Sequence, residues 1–206
     1  MKRAGWHQRG ETLTGLLVGM ALGLLVLAAG TQMLAQLLRG HRLALQDSHL
    51  QQDLHFAMDL MVRELQGAHY VADAWKTRRP DACEDDFCQA GNFLLADNRI
   101  EFSLDKNANG LRDNNECTGF KVSDSALLLR TSCSNTWQPL TDKTVAVLTA
   151  LQAQLRCTEV NGWLQRQMHL QLDAQWPGAP SRRLQLQRTV ALRNPVPASH
   201  RALFCP

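Results

Sequence analysis

Side-chain oxygens recur at alternate positions in the segment DKNANGLRDNNE, which begins at Asp105, and a glycine follows the third of them. This spacing matches the calcium-loop pattern D-x-[DN]-x-[DN]-G-x5-E, in which carboxylate, amide and carbonyl oxygens surround the ion. The predicted ligands are the side chains of Asp105, Asn107, Asn109, Asp113 and Glu116 and the backbone carbonyl of Leu111. However, the segment follows a predicted strand instead of a helix, and Asn and Gly also form tight turns without a metal. A calcium site and a polar turn therefore both stay open.

The cysteines are a second group with chemical potential: Cys83, Cys88, Cys117, Cys133, Cys157 and Cys205. In an oxidising compartment they suggest up to about three disulfides, whose pairing sequence alone does not fix. Cys117 and Cys133 lie almost symmetrically about a predicted turn at residues 123–125, so we pair them first. A local Cys83–Cys88 bond then leaves Cys157 to pair with Cys205. A zinc site is a poor fit, because no second closely spaced pair matches Cys83 and Cys88.

Catalytic chemistry has little support in the sequence. The nucleophile-elbow, zinc-protease and phosphate-loop patterns do not occur in it. Several histidines, among them His69, fall on a predicted long helix, where exposed polar positions explain them. Glu84, Asp85 and Asp86 fall in a predicted loop, where solvation explains them. We therefore expect a protein that is not an enzyme.

An uncharged apolar segment, residues 12–38, precedes all of the cysteines. As a helix rising about 1.5 Å per residue it would span about 40 Å, enough to cross a bilayer. A secretory signal peptide is the alternative, but its apolar region is shorter and ends at a cleavage site, whereas this one continues into a helical pattern. Basic residues before the segment place the N-terminus in the cytoplasm, although Arg39 and Arg42 weaken that bias. The cysteines would then lie in an exported, oxidising compartment.

Composition and charge exclude several classes of protein. The chain has 206 residues, of which 45% are hydrophobic and 20% charged, which suits one folded domain with a short appendage. Lys2, Arg3 and Arg9 account for the whole net charge of +3. Because the remainder is neutral, bulk charge gives no support for a nucleic-acid partner.

The helical pattern continues past the apolar segment. Apolar residues recur at helical spacing on one face: Leu43, Leu50, Leu54, Ala57, Met61, Leu65 and Ala68. One helix is predicted over residues 12–69, then a loop over residues 75–91. Alternating patterns predict strands at residues 99–104, 119–122, 126–131, 145–157, 163–176 and 182–193. We therefore expect an α+β fold in which the amphipathic half of the helix covers one antiparallel sheet, stabilised by disulfides.

The N-terminal residues resemble a known group of proteins. A short basic leader ending in Gly10 is followed by the uncharged helix ETLTGLLVGMALGLLVLAAG and an unbroken amphipathic extension. This arrangement resembles the type IV pilins and the pseudopilins of type II secretion. The stretches MVRELQGAHYV, FSLDKNANGLRDNNE and RTVALRNPVP resemble parts of PilW-type minor pilins, the group that includes the prepilin peptidase-dependent proteins and the J-type minor pseudopilin.

The resemblance implies a pilin fold and a defined maturation. Prepilin peptidase would cut after Gly10 on the cytoplasmic face and methylate the new amine of Glu11. Residues 1–10 would be the leader, 11–38 the transmembrane and polymerisation helix, 39–70 its amphipathic half and 71–206 an exported β-rich domain. The protein would lie in the inner membrane with that domain in the periplasm, and would then enter a pilus at the cell surface.

Two positions depart from the family. The mature chain begins with Glu11 where the family usually has Phe or Met, and its fifth residue is Gly15 where the family usually has Glu. That glutamate neutralises the N-terminal ammonium of a neighbouring subunit, because an unpaired charge is costly in an apolar medium. Three explanations stay open: partial neutralisation by the Glu11 carboxylate itself, a place at the filament tip, and sequence drift.

The resemblance also implies partners. Gly15, Gly19 and Gly23 recur at four-residue steps and would let neighbouring helices approach closely. Other minor and major pilins, prepilin peptidase and the inner-membrane assembly platform are the expected partners. We expect a PilW-like minor pilin that takes part in type IV pilus assembly and priming. The alternatives are a minor pseudopilin of a type II secretion system and, in another class, a membrane-anchored calcium-binding adhesin.

Overall fold

The computed structural model describes residues 13–205. They fall into two compact units, the first ending at Asp47 and the second beginning at Ser48. A single helix, α1 (Leu13–Gln66), contributes residues to both units. This helix is the long N-terminal helix that the apolar and amphipathic patterns predict.

The first unit contains the apolar half of α1. Side chains of residues 13–46 are exposed, and the first buried residue of the helix is Leu50. The most apolar window of α1 has a mean hydropathy of 2.2 and buries none of its residues. By length and composition, α1 is therefore able to cross a membrane.

The second unit contains the remaining regular structure. Its helices after α1 are α2 (Ala74–Thr77) and α3 (Arg201–Phe204). Its shorter strands are β1 (Arg78–Arg79), β2 (Ala82–Cys83), β3 (Phe93–Ala96), β4 (Arg99–Ser103), β5 (Cys117–Ser123), β6 (Ala126–Arg130) and β7 (Gln138–Pro139). Its long strands are β8 (Val147–Val160), β9 (Trp163–Trp176) and β10 (Ala179–Pro197).

These strands form antiparallel sheets that are separate from one another. The larger sheet has the order β3-β4-β5-β6-β7, the next has the order β10-β9-β8, and β1 pairs with β2. The sequence predicts one sheet, and that prediction is wrong in this respect. Alternation shows which face of a strand is buried, but it does not show which strands share a hydrogen-bond ladder.

One hydrophobic core joins the amphipathic half of α1 to both large sheets. The helix contributes Leu50, Leu54, Ala57, Met58, Met61 and Leu65, all fully buried. The larger sheet contributes residues such as Ile100 and Phe120, and the long strands contribute residues such as Met168 and Leu172. The α+β prediction, a helix packed on antiparallel strands, is confirmed. Leu43 was expected on the buried face, but it is 53% exposed.

The helix ends three residues earlier than the periodicity predicts. The amides of Gly67 and Ala68 close tight turns to the carbonyls of Glu64 and Leu65, and the amide of His69 donates instead to Ser103 O at 2.9 Å. His69 has a positive φ of 61°. The chain therefore leaves the helical path at Gly67, and His69 bonds to the last residue of β4.

Three disulfides close the second unit: Cys83–Cys88, Cys117–Cys133 and Cys157–Cys205. These are the pairs that the sequence spacing favours. The second of them joins the start of β5 to the segment after β6. The other two contribute to a small second core with Leu164, Val196 and Phe204.

Candidate functional site

The predicted assembly helix is exposed in the first unit. Gly15, Gly19 and Gly23 all lie on α1 with exposed backbone. A Cβ atom added at Gly19 or Gly23 would meet nothing within 4 Å. The apolar half of α1 therefore presents small residues among its exposed leucines, and this arrangement suits close helix packing in lipid. The predicted cleavage site, Gly10 and Glu11, lies outside the described residues.

The predicted calcium loop connects β4 to β5. Its two end residues, Asp105 and Glu116, are buried, whereas Asn107, Asn109 and Leu111 are exposed. All six predicted ligands lie in this single loop.

Asp105 is held by backbone amides at the start of the loop. Its Oδ1 accepts from the amide of Asn109 at 3.1 Å, and its Oδ2 accepts from the amides of Gly110 and Ala72, each at 2.9 Å. Gly110 has a φ of 77°, which a glycine adopts without strain. These bonds fold residues 105–110 back over the Asp105 carboxylate.

Glu116 fastens the other end of the loop in the same way. Its Oε1 accepts from the amide of Lys106 at 2.7 Å, and its Oε2 accepts from the amide of Asp113 at 2.8 Å. The side-chain amides of Asn107 and Asn109 donate to Asp113 Oδ2 at 2.7 and 2.9 Å. The predicted ligands thus contact one another or the loop backbone.

Negative charge therefore accumulates in this loop. Among the described residues, no ion pair involves Asp105, Asp113 or Glu116. A carboxylate oxygen that accepts one amide still has a lone pair to offer a cation. Calcium binding stays a prediction.

Sequence reasoning missed a second group of functional residues, a buried polar cluster beside the small second core. We call it the arginine cluster, and it consists of His69, Arg78, Asp85, Arg166 and Phe204. All five residues are at least nine-tenths buried. Two predictions fail here: His69 is not an exposed helix residue, and Asp85 is not a solvated loop residue.

Asp85 pairs with one of the two arginines. Its Oδ2 accepts from Arg78 Nε at 2.8 Å, and its Oδ1 accepts from Arg78 at 3.2 Å and from the amide of Phe87 at 3.0 Å. The remaining nitrogen of this guanidinium, Arg78 Nη1, donates to the carbonyl of His69 at 2.7 Å. This buried ion pair fastens the loop around Cys83–Cys88 to the end of α1.

Arg166 has neutral partners instead. It lies 2.8 Å from His69 Nδ1, and it donates to the carbonyl of Asn194 at 2.7 Å. Burial, with a smaller contribution from Arg78, lowers the pKa of Arg166 to about 10. A guanidinium stays charged at neutral pH even so, and it has only donors, so His69 Nδ1 must accept a hydrogen bond from Arg166. His69 is therefore the neutral Nε2–H tautomer.

The environment keeps His69 neutral. Burial is the main cause that lowers the pKa of His69 well below its ordinary value, and the positive charges of Arg166 and Arg78 add to it. The rings of Phe93 and Phe204 pack against the imidazole at centroid distances of 4.9 and 4.8 Å. The guanidiniums of Arg78 and Arg166 lie 5.2 and 5.4 Å from the centroid of the Phe204 ring.

The position of one member of this cluster could be predicted from the sequence. Gly67 is a common helix stop and would have placed His69 beyond the helix. The burial of Asp85 had no comparable signal, because charged residues in loops are usually solvated. Arg166 occupies an inward position of β9, where alternation would predict an apolar residue.

Comparison with known families identifies the group to which these elements belong. The model of the family described as PpdB, prepilin peptidase-dependent protein B, matches residues 43–192. The chain belongs to this family. The match begins in the amphipathic half of α1 and extends over both large sheets. No curated protein and no solved structure matches the chain.

Membership of the prepilin peptidase-dependent protein B family agrees with the resemblance seen in the sequence. The described fold has the pilin-like pattern of a long apolar helix that continues into an antiparallel β-rich domain. The matched residues include the predicted calcium loop and most of the arginine cluster, namely His69, Arg78, Asp85 and Arg166. The apolar half of α1 is consistent with a single-pass membrane anchor.

Proposed function

We propose that the protein is a PilW-like minor pilin that takes part in the priming and assembly of a type IV pilus. Its work is to join other subunits through helix packing, without a catalysed reaction. Membership of a prepilin peptidase-dependent family supports this proposal. The proposal places the protein in the inner membrane, with the second unit in the periplasm, before it enters the filament.

The observation that carries the proposal is the contrast within α1. Leu50, Leu54 and Met58 are fully buried, whereas Leu16, Leu24 and Leu34 are each more than half exposed. Exposed apolar area on this scale is unfavourable in water and must be covered. Lipid covers it before assembly, and the helices of other minor and major pilins cover it in the filament.

A place at the filament tip agrees with Gly15. A glycine cannot neutralise the ammonium of an adjoining subunit, and a subunit at the tip has no such ammonium to neutralise. The Glu11 carboxylate beside its own methylated amine is the competing explanation. A glycine at this position also suits a subunit used once or a few times in each filament better than the repeating major pilin.

Processing by prepilin peptidase is the first test. We would measure the intact mass and the N-terminal sequence of the full chain from cells with and without the peptidase. We expect a chain that begins at methylated Glu11, and only where the peptidase is present. A chain that begins at Met1 in both strains, or one cut near Ala28, would refute the proposal.

Two leader variants sharpen this test. Gly10→Val places a branched side chain at the scissile bond and should leave the leader uncut. Gly5→Val makes the same change within the leader and should be cut normally. If both variants are processed alike, the cut does not occur after Gly10.

The two competing functions give different results in the same cells. A minor pseudopilin of type II secretion is also processed, but its loss would stop secretion and leave pili intact. A membrane-anchored adhesin keeps its leader and stays in the membrane when pili are sheared off. Recovery of the processed chain in sheared pili would support the minor pilin.

A further inference from the structure

A concave surface follows the end of α1 in the second unit. It is a cavity of about 370 Å³, and its lining includes His69, Tyr70, Trp75, Arg78, Trp163 and Asn194. We call it the aromatic cavity. Its volume is within the range of pockets that hold a ligand or a few side chains, about 300–1,000 Å³.

The aromatic residues of this cavity are unusually exposed. Tyr70 is 41%, Trp75 is 74% and Trp163 is 46% exposed. They converge on one cavity although Trp163 is far from the other two in the sequence. Exposed aromatic residues that cluster on a concave surface are typical of protein interaction sites, where Trp and Tyr provide much of the binding energy.

Positive charge lies in and behind the wall of the cavity. Arg78 lines it, and Arg166 donates to Asn194 and contacts His69, which both line it. Of these two buried arginines only Arg78 has a carboxylate partner among the described residues, namely Asp85. The remaining acid in the lining, Asp73, is paired with Lys76 at 2.8 Å. Because Asp73 already has this partner outside the cavity, the arginine cluster retains one surplus positive charge.

An anion in the cavity would compensate this surplus positive charge. A buried charge without a counter-charge is unfavourable, and the attraction of an anion is strong where water is excluded. The apolar walls favour an occupant that has apolar side chains beside its negative charge. A peptide segment with an acidic residue among apolar residues has this chemistry.

We propose that the aromatic cavity binds an acidic, apolar peptide segment of a neighbouring subunit, with a carboxylate directed towards Arg78 and Arg166. The subunit partner rests on the proposed pilin function. Because the proposed function gives this chain only a few places in each filament, the occupant is a segment of another exported pilin and not of a second copy of this chain. Its apolar side chains contact Trp75 and Trp163.

Photo-crosslinking of the full chain in pilus-assembling cells tests this inference. p-Benzoylphenylalanine replaces Trp75 at the rim of the cavity, and in a matched control it replaces Leu94, which is 40% exposed on β3. Mass spectrometry identifies each crosslinked peptide. We expect a peptide adduct with an Asp or Glu among apolar residues at position 75, and no such adduct at position 94.

The charge dependence is tested in the same cells. Arg166→Met removes the surplus charge and should lower the yield of the adduct at position 75 about tenfold, the effect of about 1.4 kcal/mol. Arg166→Lys keeps the charge and should retain most of the adduct. Formation of all three disulfides in both variants checks that the domain folds.

Several results would overturn the inference. One is the absence of any adduct at position 75. Another is an adduct with a lipid, a glycan or a peptide without acidic residues. A third is an adduct yield that is unchanged in Arg166→Met. Loss of the adduct in both Arg166 variants would also overturn it, because the positive charge would then not be the cause. An uncut leader refutes the pilin function and this inference together, whereas a processed chain without the acidic adduct refutes this inference alone.

Discussion

Glu84 and Asp85 are neighbours in the chain, but their carboxylates have opposite environments. The Glu84 side chain is 57% exposed and pairs with Arg79, whereas the Asp85 side chain is 1% exposed and pairs with Arg78. Water screens the first pair and leaves it weak. Removal of one partner from the second pair leaves a buried charge without compensation.

The two positions therefore form a matched pair for mutation. We expect Asp85→Asn to lower the free energy of unfolding by about 3–5 kcal/mol, because Arg78 then remains charged and buried. Glu84→Gln should lower it by less than about 1 kcal/mol. Chemical denaturation of the full chain in detergent measures both. Equal losses would mean that the Arg78–Asp85 pair does not stabilise the domain.

His69 makes stability depend on pH. Burial and the two arginines lower the pKa of His69 in the folded state, whereas in the unfolded state its pKa is about 6.5. Below that value the unfolded chain binds a proton that the folded chain does not, so acid destabilises the fold. The stabilisation is complete above the unfolded pKa and is lost as the pH falls towards the folded pKa.

Replacement of His69 isolates this effect from that of the carboxylates. We expect the wild type to lose up to about 1.4 kcal/mol per pH unit more than His69→Gln between about pH 6.5 and pH 5. Gln stays neutral, and its carbonyl can accept from Arg166. Unfolding free energies measured across this range provide the comparison. Parallel curves for the two proteins would show that His69 does not titrate on unfolding.

At the scale of elements, the loop between β4 and β5 is the predicted calcium site. Its fold does not need a metal, because backbone amides already bind Asp105 and Glu116. These two carboxylates and Asp113 nevertheless lie close in one loop without a described ion pair. A divalent cation would offset their repulsion.

Calcium should therefore raise the melting temperature of the chain. A ligand at about one hundred times its Kd stabilises the folded state by about 2.7 kcal/mol, which is a shift of several degrees. In the wild type we expect a higher melting temperature in calcium than in a chelator. We expect no such shift in Asp113→Asn, because this change removes the charge of a half-buried predicted ligand. Asp97→Asn, in the turn after β3, is the control and should keep the shift. A wild type that melts equally in calcium and chelator would establish the loop as a polar turn.

The elements also show how far the sequence can be interpreted. β9 and the long helix have clear periodicity, and their predicted bounds are close to those observed. β3 was missed because Phe93–Ala96 is short and apolar and has no alternation to mark it. β8 and β9 pair across Asn161-Gly162, a dipeptide typical of tight hairpin turns, and this local turn fixes their register. The division into two large sheets depends on distant contacts, which no local pattern contains.

The same limit applies to the arginine cluster. Its members come from the segment after α1, from β1, from the loop after β2, from β9 and from α3. Each of its polar side chains taken singly suggests a solvated residue, and only the fold brings Arg166 to His69. The calcium loop, in contrast, is a single continuous segment, so its residues could be named from spacing alone.

For the whole molecule, the disulfides join segments at very different separations. Cys83–Cys88 spans 5 residues, Cys117–Cys133 spans 16 and Cys157–Cys205 spans 48. A crosslink that closes a longer loop removes more entropy from the unfolded chain. The bond from β8 to the C-terminal segment should therefore stabilise the molecule most.

Three double Cys→Ala variants test this order. Loop-closure entropy predicts losses of about 2, 3 and 4 kcal/mol for the bonds of 5, 16 and 48 residues. Urea denaturation of each variant measures the loss. If the shortest loop costs the most, contacts in the folded state and not chain entropy determine the contribution.

Phe204 and Cys205 complete the small second core, where Phe204 packs with Leu164 and Val196 and its ring contacts the guanidiniums of the two buried arginines. Because both residues follow β10, this core can close only after all three long strands have been synthesised. A chain that ends before Phe204 would expose apolar side chains and leave Cys157 without its disulfide partner. Such a chain should therefore be more open to proteases than one that includes Phe204 and Cys205.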